Sequence, residues 1–155
     1  MTTYRSKTLS TWLALAGGVL GLHRFYLYGW RDGVGWLHPW PTLVGLVGVV
    51  RMRELGQDDV TSWLLIPILG LMLSMAMLTA IVYGLTPDEK WDARHNPSQP
   101  VHATTWGPIF GVILALLVGG IALMGTVAGG YFPIREEFQK EYVDWLVKHA
   151  GSGAR

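Results

Sequence analysis

Charged positions divide the chain into long apolar stretches, and the lengths of those stretches carry most of the information. Residues 63–85 contain no charged side chain, and neither do residues 106–134. At 1.5 Å per helical residue, the first of these reaches ~34 Å, enough to cross a hydrocarbon core of ~30 Å. The second is longer still and is bracketed by Pro108 and Pro133. It predicts a helix over about 107–131. In the first, Pro67 is placed in the opening turn or so, where its missing N–H costs little. Two weaker runs precede these. Residues 8–22 are uncharged up to His23 and Arg24. A helix over about 8–28 follows if Arg24 extends its charged end toward the headgroups. Residues 33–50 carry His38, Pro39 and Pro41, which predicts a kink or a late start in a helix over about 34–52. That helix is expected to span, with a tilted or re-entrant arrangement as the alternative.

The expectation is therefore an all-α integral membrane protein with four transmembrane helices. Its expected units are a helical hairpin over 1–53, a polar loop over 54–62, and a second transmembrane pair over 63–131. Within that pair, residues 86–105 form a polar loop with no evident helical or strand pattern. From Arg135 the pattern changes. Phe138, Tyr142, Trp145, Leu146 and His149 recur at helical spacing, with Glu136, Glu137, Lys140, Glu141, Asp144 and Lys148 mostly on other faces. This predicts a separate amphipathic helix over about 134–149, within a unit spanning 132–150, lying on the bilayer surface. Docking on a partner is its rival, and continuation of the fourth helix comes third. Residues 151–155 read as a disordered tail.

Composition sharpens the picture. Half of the residues are hydrophobic, 15% are charged, and there are eight tryptophans, which favour membrane interfaces. A net charge of +1 gives no reason to expect nucleic acid as a partner. With no cysteine, disulfides, thiolate metal sites and cysteine lipidation are excluded. Arg5 and Lys7 before Ala14-Leu15-Ala16 resemble a signal peptide, but the apolar run is short and broken by Ser10 and Thr11. The segment is read as retained. With four spans, Lys and Arg would number eight on the side of both termini and four on the other, which puts both termini in the cytoplasm.

Small residues recur every four positions. Gly107, Gly111, Ala115 and Gly119 form one ladder, Ala76, Ala80 and Gly84 another, and Gly17 with Gly21 a single step. In lipid such faces let helices approach closely, either within one chain or between copies. The densest constellation is Gly21-Leu22-His23-Arg24-Phe25-Tyr26-Leu27-Tyr28-Gly29, a glycine-rich helix followed by a cation–aromatic cluster. Arg24 can meet a lipid phosphate, a ring or Asp32. The plain reading is an anchored hairpin, and the sharper one an interaction site at His23 and Arg24.

This stretch, with Arg5-Ser6-Lys7 before it, resembles the TM-two (two-transmembrane) domain family, known in bacteria as NINE proteins. The hallmark is Gly-x-His-Arg-Phe-Tyr-Leu-Gly between two membrane helices, and the likeness covers residues 5–53. Gly21, His23, Arg24, Phe25, Tyr26 and Leu27 match. Tyr28 stands where the family usually has glycine, and Gly29 follows one position later. The resemblance implies a multipass protein of a bacterial inner membrane with no established enzymatic activity.

Other chemistry is thin. The histidines form no close metal pair, although His95 and His102 share a loop with carboxylates. His38 is read as interfacial. No catalytic, cofactor-binding or metal-binding residue is assigned, and no cofactor is expected. Beyond the lipid bilayer, the expected partner is a second copy or another membrane protein. The functional expectation is a non-enzymatic protein acting by helix association. A small channel or transporter is the alternative and a membrane-embedded enzyme the third.

Overall fold

In a computed structural model, the structure describes residues 4–150, with side chains described except at 130–137 and 149–150. The expected disordered tail at 151–155 lies outside the described residues. The described chain is all helical. Its elements are α1 (Lys7–Gly17), a 3-10 turn (Gly18–Leu20), α2 (Leu22–Tyr28), α3 (Gly33–Leu37), α4 (Pro39–Leu55), α5 (Val60–Leu85), α6 (Asp88–His95) and α7 (Gly107–Ala150). Three stretches are long and apolar enough to cross a membrane: Gly33–Leu55, Val60–Leu85 and Gly107–Gly129.

Helix α5 is the hub, packed against α1, α4 and α7. Its start is set by Asp59, whose carboxylate accepts from the Ser62 amide and from Nε and Nη2 of Arg51 at 3.0 and 2.9 Å. Pro67 is the eighth residue of α5, three residues further in than the expected position, and the helix continues through it. The interfaces are built on small residues. A Cβ at Gly45 or Gly48 would meet Leu69 or Leu65 at 2.5 and 2.6 Å, so α4 and α5 touch along their backbones. Ala14, Ala76, Met77, Ala80 and Ala115 form the buried core where α1, α5 and α7 meet.

The expected helix over 8–28 is not one helix. Helix α1 has 11 residues, about 16 Å at 1.5 Å each, half of a hydrocarbon core. It descends along the last turns of α5. The Lys7 ammonium donates to the Thr86 carbonyl at 3.0 Å, Thr11 packs near Gly84, and Gly18 lies against Ala76. The chain then reverses, and α2 climbs back. The Ser6 amide donates to the Tyr26 hydroxyl at 2.9 Å, and Tyr28 meets His95 at a ring separation of 6.3 Å. Both ends of the α1–α2 hairpin therefore sit at one level. The reversal has a local cause: Gly17 and Gly18 allow close packing, and Gly21 adopts φ 76°, a left-handed conformation that ends one helix and starts the next.

Two other expectations are corrected. Residues 88–95, read as loop, form α6, with Asp88 and Glu89 in the first turn and Arg94 and His95 in the last, complementing the helix dipole. The separate helix over 134–149 is instead the end of α7, a single helix of 44 residues and about 66 Å. Pro133 removes one backbone hydrogen bond without ending it.

Candidate functional site

The motif residues gather at the reversal and at the surface above it. Gly21 is the pivot. A Cβ there would lie 2.5 Å from the Gly35 carbonyl oxygen, so α3 crosses directly over it. Backbone groups released where a helix breaks need partners within the protein when they are buried. Here the Thr42 hydroxyl of α4 donates to the Val19 carbonyl at 2.8 Å.

His23 is the most enclosed ionisable group of the motif, only 3% exposed. Its ring stands edge-on to Tyr83 and to His38, with centroids 5.8 and 5.6 Å away. Among the described residues, its Nδ1 has no hydrogen-bond partner. His38 turns its own Nδ1 to the Val34 carbonyl at 2.7 Å.

Arg24 is committed to Asp32. Its Nη2 donates to the carboxylate at 3.1 Å and its Nε to the second oxygen, while the guanidinium lies 5.0 Å from the Tyr28 ring centre. Asp32 also caps α3 by accepting from the Gly35 amide. The Arg24 guanidinium and that amide outweigh desolvation and hold the Asp32 carboxyl below its ordinary range. Phe25 stacks on Trp30 at 5.1 Å and meets Trp36 edge-on. The Tyr26 carbonyl accepts from Arg5, Leu27 is buried, and Gly29 (φ 85°) closes α2.

Above the hairpin, α6 and the segment after it make a polar cap from the stretch that the sequence marks as a long polar loop. The Trp91 indole donates to the Arg5 carbonyl at 2.8 Å, and Asn96 holds the same residue from its other side, accepting from the Arg5 amide at 2.8 Å. Buried Asp92 accepts from Asn96 and from the His102 amide. Asp88 pairs with Lys7 and accepts from the Thr104 amide and hydroxyl. Burial opposes its charge, but these donors prevail and hold the carboxyl down to about 2. The signal for this cap was present: Asp88 and Glu89 after Pro87, with Trp91 and His95 one turn apart. His95 and His102 face rings, Trp91 and Tyr4, at 4.4 and 4.5 Å. No group of three metal-ligating side chains occurs among the described residues.

The small-residue ladder of α7 is used inside the chain. Gly107 faces Thr8, Gly111 faces Thr11, Gly119 faces Met77 and Ala115 is fully buried. Gly17 lies against Leu22 of its own hairpin. Only Gly120, Gly125 and Gly129 among the described α7 glycines have open space around them. Taken together, the motif residues build and anchor a hairpin rather than line a cavity with convergent polar groups. No family model, curated protein or solved structure matches the chain.

Proposed function

We propose that this is a multipass membrane protein with three spans that acts by association, using the far end of α7 to hold another membrane-anchored component. One observation carries this reading. Phe138 and Tyr142 are 74% and 61% exposed on a helix that continues unbroken from the membrane. Helix α7 begins level with Thr8, and a hydrocarbon core accounts for only ~20 of its residues. Positions 138–146 then stand ~12–24 Å beyond the core. A separate helix could lie flat and bury its aromatic stripe in lipid, but a continuous steep one holds that stripe in water, where it needs a protein surface.

The same reading sets the topology. With α1 and α2 as a re-entrant hairpin, the N-terminus and residues 86–105 share one side, and residues 51–59 and the C-terminus the other. The charge argument for cytoplasmic termini then lapses. Arg5, Lys7, Arg24, Arg31, Lys90 and Arg94 face Arg51, Arg53, Arg135, Lys140, Lys148 and Arg155, six on each side. Membership of residues 5–53 in the TM-two family, and with it a bacterial inner-membrane location, remains part of the proposal. It is supported by the match from Gly21 to Leu27.

Crosslinking in native membranes followed by purification tests the association. Wild type should bring down a stoichiometric partner or oligomer, and replacing Phe138 and Tyr142 together by serine should release it. Wild type recovered as a bare monomer would remove the proposal.

A further inference from the structure

The exposed stripe on α7 does not begin at the membrane surface. Leu117, Gly120, Met124 and Val127 lie in the membrane part at steps of three, four and three, and Phe138 and Tyr142 continue the same register below. The intervening positions in that register are Tyr131 and Ile134. Alternation of three and four is the heptad spacing of helices that supercoil left-handed around one another, and the two consecutive fours ending at Tyr142 are a stutter, which unwinds the coil locally. The described non-glycine members of this stripe are 61–74% exposed, and nothing lies within 4 Å of a Cβ built at Gly120. The face packed on α5, with Val112, Ala115, Gly119 and Thr126, is roughly 140° away around the helix at ~100° per residue.

Resting on the association reading above, we infer that the component held by α7 is the α7 of a second copy of this chain, paired in parallel along this stripe. A single face that passes from lipid into water restricts what can cover it. A soluble protein reaches only the lower part, and a lipid or short membrane peptide only the upper. The covering surface must cross the bilayer beside α7 and continue as a helix, and a second α7 does both. The bilayer holds all copies at one depth and in one direction, so the two stripes meet in register. Gly120 then opposes Gly120, where two backbones can approach. From Leu117 to Tyr142 the stripe is ~38 Å long, and a helix is ~10 Å wide. Two copies would therefore cover roughly 750 Å², a small interface of the transient class, favoured here by the confinement of both copies to one bilayer.

The absence of cysteine makes the test direct. Met124→Cys, Phe138→Cys and Tyr142→Cys are introduced singly into the full chain in native membranes, with Lys140→Cys and Val147→Cys off the stripe. On mild oxidation the stripe variants should give roughly tenfold more disulfide-linked dimer than the off-stripe ones, since the bond forms only where Cα atoms come within ~7 Å. Equal yields on and off the stripe, or none, overturn the pairing. The three stripe positions are exposed, and a monodisperse elution of each variant in detergent establishes that it folds. A photo-crosslinker at Phe138 separates the two readings. An adduct with a different protein overturns the self-pairing but keeps the association, whereas no adduct of any kind overturns both.

Discussion

Gly21 is constrained twice, by its left-handed backbone and by the Gly35 carbonyl above it, whereas Gly29 has a similar φ with nothing within 4 Å. Gly29, at ψ 173°, lies in a region essentially reserved for glycine, so Gly29→Ala should cost about 1–3 kcal/mol through the backbone alone. Gly21→Ala should cost about 1–2 kcal/mol for its left-handed backbone plus a clash against backbone, which cannot yield as a flexible side chain can. Thermal unfolding in detergent reads both, and a loss at Gly21 no larger than the backbone cost would refute the pivot. His23 gives a prediction of opposite sign. Its unpartnered buried nitrogen is a burden, so His23→Leu should raise the unfolding temperature. If the same variant fails to complement a deletion strain, the histidine is kept for activity rather than for packing. Asp88 sets a pH response. Its carboxyl titrates lower in the folded chain than unfolded, so its pairing stabilises above about pH 4 and is lost as pH falls toward 2. Asp88→Asn should flatten the part of the acid limb that Asp88 contributes. Asp59, also held down to about 2, first by Arg51 and then by Ser62, supplies another part.

At the scale of elements, α4 and α5 are joined through backbone contact, and α7 beyond Gly119 has room. Gly45→Ala and Gly48→Ala should push α4 outward and lower stability. Gly125→Ala, with open space around it, should leave stability unchanged or improve it by up to about 1 kcal/mol through helix propensity. Proteolysis at the 56–59 connection, which loosens when α4 moves, measures the difference. What the sequence could reveal follows the same division. Helix α5 was legible within three residues because an uncharged run flanked by polar residues has one physical outcome in lipid. The hairpin was not, because hydropathy sums composition and is blind to direction: residues 8–28 are as apolar folded back as extended. Ser10, Thr11 and Thr42 were the available clue, since polar side chains near membrane depth usually serve a backbone or a neighbour. Helix α6 was hidden by surrounding prolines. The continuity of α7 was hidden by Pro133, which reads as a stop although a proline costs a long helix one bond and not its existence.

For the whole molecule, the proposed topology makes the fold-back of the first 28 residues decide which ends share a side. In the cysteine-free chain, single cysteines at Lys90 and Asp58 can be labelled from either face of sealed vesicles. An epitope at the N-terminus should be reached from the Lys90 side, and one at the C-terminus from the Asp58 side. Both epitopes on the Asp58 side would restore four spans and exclude the re-entrant arrangement.

The clamp of α6 on the Arg5 peptide also has a consequence in time. Trp91 follows Arg5 by 86 residues. At the ribosome's pace of ~5–20 residues per second, that is ~4–17 s of synthesis. Throughout that interval the α1–α2 hairpin exists without the α6 residues that will seat it. Whatever receives the chain during translocation must tolerate a half-buried, unlatched leader, and a pause before Trp91 would be the moment at which surveillance proteases find it.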